Sequence, residues 1–170
     1  TFKAGTGALK SVRQHGFDIS SVGTFAGASG GAKWLVLSQL DRAIQSSVVP
    51  QLKGPVHLIG SSIGSWRFAC YAQADPLAAI ERFEAAYLEQ SYSEKPGIAE
   101  ITAKSREILG VVLGANGVSE ILANPVFRTH VMTVRSRHIL ASEKKAILAT
   151  GLISAVLLNA VSRSTLGWSF

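Results

Sequence analysis

Residues 56–64 read Val-His-Leu-Ile-Gly-Ser-Ser-Ile-Gly and contain the transition that decides the fold. The apolar run 56–59 is short and ends at Gly60, which is typical of a buried parallel strand. A helical pattern over 63–74 follows at once. A strand that enters a helix through Gly-x-Ser-x-Gly can raise a serine hydroxyl above the sheet edge. Ser62 is therefore either a nucleophile on a sharp elbow or part of a polar turn.

A second glycine-rich turn lies upstream, where residues 27–31 read Gly-Ala-Ser-Gly-Gly after a shorter strand candidate at 22–26. It has the same Gly-x-Ser-x-Gly form, so Ser29 competes with Ser62 for the role of nucleophile. Gly30-Gly31 leaves the backbone free to aim successive N–H groups at an anion. We predict that these glycines bind an oxyanion and that Ser62, which follows the better strand, attacks.

Both loops are expected at the carboxyl ends of neighbouring parallel strands, where sheets of this kind build their sites. The start of the helix after each loop adds oriented N–H groups. Lys33 can meet a phosphate or face water, and water is favoured. The candidate site comprises Ser62 as nucleophile, Gly60 and Gly64 in the elbow, and Gly30, Gly31, Ala32, Lys33 and Ile63 for oxyanion and substrate binding.

Strands and helices alternate along the rest of the chain, which predicts an α/β fold with a parallel sheet covered on both faces. A third strand is expected at 131–134. An apolar helix over 147–161 is expected to be buried in the core, since it is shorter than the ~20 residues a membrane span needs. Further helices are expected at 8–15, 32–48, 77–91, 98–109 and 117–123.

Length and composition indicate one domain spanning residues 1–170, with 47% hydrophobic residues. The single cysteine excludes an intrachain disulfide and favours a cytoplasmic setting. The chain begins without methionine and ends in an apolar stretch, so we expect it to be truncated at both ends.

The net charge of +6 comes from scattered basic residues, with neither an arginine-rich arm nor an aromatic ladder for bases. This argues against nucleic acid as a partner. A basic surface suits anionic partners, such as phospholipid headgroups at the inner face of a membrane, but the favoured interpretation of these scattered charges is an ordinary solvated surface. The histidines and carboxylates form no recognisable ligand spacing, so neither a metal nor a cofactor is expected.

Two motifs resemble those of the patatin-like phospholipase family. Residues 29–34, Ser-Gly-Gly-Ala-Lys-Trp, are similar to its Gly-Gly-Gly-x-Arg/Lys-Gly oxyanion loop, and residues 60–64 are similar to its nucleophile elbow. The resemblance covers residues 22–75 and extends more loosely through 131–137. It implies a three-layer α/β/α fold with a mainly parallel sheet. It also implies hydrolysis of ester bonds in phospholipids or other lipids by a Ser–Asp dyad.

The chain departs from the family pattern in two respects. Ser29 and Trp34 replace loop glycines. The family aspartate lies in a late Asp-Gly-Gly or Asp-Gly-Ala motif, whereas Asp18, Asp41 and Asp75 all precede the midpoint and none is followed by glycine. The resemblance therefore implies an N-terminal fragment whose aspartate lies beyond residue 170.

Two other functions remain open. An α/β-hydrolase-type esterase would need an acid and then a histidine after Ser62. Glu107 or Glu120, followed by His130 or His138, satisfies that order. The third possibility is a fragment that binds lipid or a partner protein without turnover.

For three residues a structural role is favoured over a functional one. Arg67 is expected to form an ion pair, Cys70 to be an inert buried thiol, and His57 to be a structural histidine within a strand. The amphipathic helix at 77–91, with Phe83, Tyr87 and nearby Tyr92, can pack on the core or cover a lipid groove, and core packing is favoured.

Overall fold

The computed structural model describes residues 3–135, 137, 141–142 and 144–161. It divides into two compact units, residues 1–132 and residues 133–170. The described residues contain seven α-helices and three strands. The helices are α1 Thr6–His15, α2 Ser38–Ala43, α3 Ile63–Tyr71, α4 Pro76–Leu88, α5 Ile98–Leu113, α6 Gly117–Ala123 and α7 Lys145–Val161. The strands are β1 Thr24–Gly27, β2 Val56–Ser61 and β3 Phe127–Met132.

The first unit is built on a parallel three-stranded sheet in the order β1-β2-β3, so the predicted α/β class is confirmed. Gly27 pairs with Gly60, and Ser61 pairs with Met132. The carboxyl ends of the three strands therefore meet at one edge of the sheet. Helix α3 contacts all three strands and forms the inner layer of helices.

The third strand lies earlier than the sequence pattern predicted, at Phe127–Met132 rather than 131–134. Asn124 sets its start, since its Oδ1 accepts hydrogen bonds from Val126 N at 2.9 Å and Phe127 N at 2.7 Å. Burial alternates over the first four residues, in which Phe127 is buried whereas Arg128 and His130 are exposed, and the last two residues are exposed as well. A search for a continuous apolar run therefore misses its first half.

The predicted single helix at 32–48 is also wrong. The chain instead forms a 3-10 helix at Gly31–Leu37, then α2, a π-helical segment at Ile44–Val48 and a 3-10 turn at Val49–Gln51. Lys33 N donates to Gly30 O at 3.2 Å, and this i→i+3 hydrogen bond starts the segment as a 3-10 helix rather than an α-helix. Ser46 Oγ donates to Arg42 O at 2.9 Å, which competes with the helical pattern near the π-helical segment.

The glycine-rich turn at residues 27–31, the glycine loop, leads into the 3-10 helix, and an aromatic stack joins that helix to α4. Trp34 is 2% exposed and lies parallel to Phe83 with ring centroids 4.3 Å apart. Tyr87 meets Trp34 edge-on at 5.8 Å, and Trp66 stacks on Phe83 at 5.7 Å. Helix α4 thus packs on the core, as its amphipathic pattern predicted, and Trp34 is a core residue where the resembling family has a glycine.

The opposite face of the sheet is exposed. Along β2, Val56 and Leu58 are buried while the alternating His57 and Ile59 are exposed. Within the first unit, helices therefore cover one face of the sheet, whereas the alternation of strands and helices predicted that both faces would be covered. Parallel sheets are normally buried on both faces.

Helix α7 belongs to the second unit and does not match the predicted core helix. Leu152, Ile153, Val156 and Leu157 are 51–67% exposed, whereas Gly151 and Ala155 are buried. Four of its large apolar side chains are thus more exposed than buried, which a core helix would not show. Among the helices that the structure describes, none has both the length and the hydropathy needed to cross a membrane.

Candidate functional site

Ser62 occupies a strained turn between β2 and α3. Its backbone has φ 51° and ψ −124°, and it is the only residue other than glycine with positive φ in the described part of the chain. Ser65 N donates to Ser62 O at 2.9 Å and so closes the first turn of α3. Such a conformation costs about 1–3 kcal/mol and persists only where the surrounding structure imposes it.

The glycines around Ser62 are required by the close contact between helix and sheet. A Cβ on Gly60 would lie 2.5 Å from Ser65 Cα and 2.6 Å from Ser65 N. A Cβ on Gly64 would overlap the backbone of Gly27 at the end of β1, with the Gly27 Cα 2.9 Å away. These contacts press α3 onto the sheet and force the chain to turn sharply at Ser62.

The glycine loop lies beside this elbow, as the sequence predicted. The pairing of Gly27 with Gly60 brings the ends of β1 and β2 together. Ser29 Oγ and Ser61 Oγ lie 3.0 Å apart and share a hydrogen bond, which joins the two loops directly. Ser29, the rival candidate nucleophile, thus contacts the residue before Ser62.

Gly31 gives the loop its shape, because its φ of 53° lies in the left-handed region that favours glycine. Gly30 has an extended φ of −174°, which other residues also adopt. The N–H groups of Gly31 and Ala32 precede the first hydrogen bond of the helix and have no acceptor within it. The Lys33 N–H bonds to Gly30 O, and the Lys33 side chain is exposed.

A cavity of about 200 Å³ opens at Ser62, which is itself exposed. Gly31 and Ser62 form part of its wall, and Ile63 lies next to them. Its other lining residues are mainly aromatic or apolar. The sequence pattern singled out Tyr87 and Tyr92 but missed the rest, although Trp66 lies one helical turn after Ser62. These other lining residues are Trp66, Tyr87, Gln90, Tyr92, Ser105 and Ile108.

A second cavity of about 350 Å³ lies on the other side of the glycine loop. Gly30, Lys33, Ile63 and Arg67 are among the residues that line it. Two cavities thus flank the loop, and Ile63 lies between them because it lines both.

All three aspartates of the chain have structural partners. Asp18 accepts hydrogen bonds from the backbone N–H and hydroxyl of Ser20, which lower the pKa of its carboxyl group. Asp75 accepts from Ala78 N at 3.0 Å and caps α4. Asp41 is fully buried in contact with Arg67. In the described residues, Ser62 Oγ makes no hydrogen bond to a carboxylate.

Asp41, Arg67 and Tyr71 form a buried cluster between α2 and α3. Arg67 Nε donates to Asp41 Oδ2 at 2.7 Å, Arg67 Nη2 donates to Asp41 Oδ1, and Tyr71 OH donates to the same Oδ1 at 2.7 Å. The hydrogen bond to Asp41 raises the pKa of Arg67, and burial raises the pKa of Tyr71. The predicted structural ion pair of Arg67 is therefore confirmed.

Two histidines contact each other on the exposed face of the sheet. His57 Nδ1 lies 2.8 Å from His130 Nε2, with the ring centroids 5.1 Å apart. His130 is thus directed at His57, although the esterase hypothesis would direct it at Ser62. His138, the other histidine of that hypothesis, lies outside the described residues.

Cys70 is buried on α3 with no exposed surface. Burial raises the pKa of its thiol to about 12, so the reactive thiolate is essentially absent at neutral pH. The predicted inert thiol agrees with this environment. No group of three or more histidine, cysteine, aspartate or glutamate side chains that could hold a metal ion occurs among the described residues.

Comparison of the chain with protein-family models, with curated proteins and with solved structures found no match. The class that the fold and the site define is an α/β protein with a parallel sheet and a serine on a strained strand-to-helix turn.

Proposed function

We propose that the protein is a serine acyl hydrolase that cleaves ester bonds of lipids, with Ser62 as its nucleophile. The observation that carries the proposal is the strained backbone of Ser62 at the mouth of a cavity that Gly31 also lines. An unfavourable φ at an exposed serine indicates that the fold maintains this position at a cost in stability. The close helix–sheet contacts of Gly60 and Gly64 maintain it.

In the proposed reaction, Ser62 Oγ attacks the ester carbonyl carbon while a general base takes the hydroxyl proton. The carbonyl oxygen becomes an oxyanion, to which the N–H groups of Gly30, Gly31 and Ala32 donate, together with that of Ile63 at the start of α3. The C–O bond then breaks, the alcohol leaves with the proton from the base, and an acyl-Ser62 remains. Water, deprotonated by the same base, attacks the acyl group and releases the acid and Ser62.

The base is proposed to be an aspartate outside residues 1–170, as in the Ser–Asp dyad of the patatin-like family. Asp18, Asp41 and Asp75 are all held in other contacts. The same proposal includes the three-layer architecture of that family, with the third layer packed on the exposed sheet face that carries His57 and Ile59.

The walls of the cavity support a lipid ester as substrate. Trp66, Tyr87, Tyr92 and Ile108 provide an apolar surface beside the nucleophile, which suits an acyl chain. Lys33 is exposed at the neighbouring cavity and the chain carries a net charge of +6, which suits anionic headgroups and peripheral contact with an anionic membrane.

Active-site labelling tests the proposal. A fluorophosphonate probe is expected to label protein that includes the proposed aspartate at Ser62, as identified by peptide mapping, and Ser62→Ala should abolish both labelling and ester hydrolysis. Ser61→Ala and Ser29→Ala are matched controls, because these hydroxyls lie in the same two loops. Both variants should still be labelled on the peptide that contains Ser62. Labelling at Ser29, or activity that survives Ser62→Ala, would contradict the assignment.

A second candidate function is lipid binding without turnover. The observation in its favour is that every aspartate of the chain already has a structural partner. Liposome binding that survives Ser62→Ala, in a protein with neither probe labelling nor ester hydrolysis, would establish this function instead.

A further inference from the structure

A groove of about 330 Å³ lies between α4 and α5, next to the Ser62 cavity. The two share two lining residues, Gln90 and Ile108, which therefore lie between them. The floor of the groove is apolar, and its rim carries charged side chains that include the Lys104–Glu107 ion pair at 2.8 Å. Its apolar lining residues are Ala85, Ala86, Ile108 and Val111.

The wall between the two spaces is held in place by hydrogen bonds. Gln90 Nε2 donates to Tyr87 O at 2.7 Å, and Gln90 Oε1 accepts from Tyr92 OH at 2.8 Å. Ile108 is only 7% exposed and projects from the opposite helix. The amide of Gln90 loses both bonds if it swings aside, so the wall separates the Ser62 cavity, of about 200 Å³, from the groove.

That volume sets how much of an acyl chain the cavity can bury. A water molecule takes about 30 Å³ and a methylene group is of similar size, so the cavity buries about six carbons and the rest of a longer chain lies in solvent. A longer chain has apolar surface available in the groove but must pass Gln90 and Ile108 to reach it.

We propose that the α4–α5 groove is a latent second half of the acyl-chain site, and that Gln90 and Ile108 set the length of chain the protein accepts. This inference rests on the proposed hydrolase function. It assigns the groove to the distal methylenes of an acyl chain, and it makes Gln90 and Ile108 specificity-determining residues that do not contact the reacting atoms.

The test is a chain-length profile of kcat/KM with p-nitrophenyl esters from acetate to palmitate, measured on protein that includes the proposed catalytic aspartate. The wild-type protein is expected to prefer esters of about four to six carbons and to gain nothing from longer chains. In Ile108→Ala the wall opens. Each additional methylene that enters the groove should then raise kcat/KM about fourfold, the equivalent of burying one CH₂, until the groove is filled.

Val112→Ala is the matched control. Val112 lies one turn further along α5 and is fully buried but lines neither space, so its truncation destabilises the fold without opening the wall. Its chain-length profile should match that of the wild type. Tyr92→Phe is a milder variant at a 40% exposed residue, and it should extend the profile modestly by releasing Gln90.

A second readout does not depend on turnover. Titration calorimetry with butyrate and decanoate is expected to show at least tenfold tighter binding of decanoate to Ile108→Ala than to the wild type, and no comparable gain for butyrate, which is too short to reach the groove. An active wild type whose profile is unaltered in Ile108→Ala would overturn the inference but keep the hydrolase. A wild type that hydrolyses no ester would refute the hydrolase, and the decanoate titration would then decide the groove alone.

Discussion

Replacing Asp41 by asparagine tests whether the buried ion pair holds the site together. The Asp41 side chain is 1% exposed and that of Arg67 is 11% exposed. Asparagine keeps the shape of the side chain but removes its charge, so the Arg67 guanidinium is left in a poorly hydrated position without a counter-charge. Removing one partner of such a pair costs about 3–5 kcal/mol. This is a large part of the roughly 5–15 kcal/mol that stabilises a typical domain.

The loss should also reach the candidate site. Asp41 lies on α2, which follows the glycine loop, whereas Arg67 and Tyr71 lie on α3, which starts after Ser62. The cluster therefore couples the oxyanion loop to the nucleophile. Urea unfolding followed by tryptophan fluorescence measures the free energy of unfolding, and an unchanged slope confirms that the same transition is compared.

Glu84→Gln is the control for this variant. It breaks the Arg42–Glu84 pair, whose contact is 2.6 Å long but whose side chains are 25% and 26% exposed. Exposed pairs contribute about 0–1 kcal/mol, so this change should cost far less. If Asp41→Asn lowers the free energy of unfolding no more than Glu84→Gln does, burial does not make the Asp41–Arg67 pair more costly to break than a more exposed pair.

Three further predictions concern the strain at Ser62, the contact between Gly64 and Gly27, and the burial of Cys70. Ser62→Gly should raise the free energy of unfolding by about 1 kcal/mol. The backbone strain it relieves, about 1–3 kcal/mol, exceeds the entropic cost of glycine, about 0.5–1 kcal/mol. A lower melting temperature than that of the wild type would contradict the strained elbow. Gly64→Ala should destabilise by about 1–3 kcal/mol or more, since its Cβ overlaps Gly27, and wild-type stability in urea would refute that contact. Cys70 should resist thiol reagents at pH 8 in the native protein and react once the protein is unfolded, because burial raises the pKa of its thiol to about 12. Rapid labelling of the native protein would show that Cys70 is accessible.

Local patterns predicted β2 and the elbow correctly because each signal lies within a few residues. The apolar run before Gly60 and the helix after Ser62 need no distant partner to be recognised. The same reasoning misplaced β3, whose polar alternation reflects an exposed sheet face. It also joined residues 32–48 into one helix, because apolar periodicity does not show where i→i+3 bonds or a serine hydroxyl change the winding.

The sequence by itself determined the parallel α/β class and the junction at Ser62, since glycine spacing and hydrophobic runs act over short distances along the chain. Tertiary structure decided which groups surround that junction. Arg67 and Asp41 are 26 positions apart, and Ser29 and Ser61 are 32 apart. The cavity beside Ser62 combines residues of the glycine loop, α3, the end of α4 and α5. No local pattern specifies such contacts, because they depend on how closely helices pack on the sheet, and that distance is set by Gly27, Gly60 and Gly64.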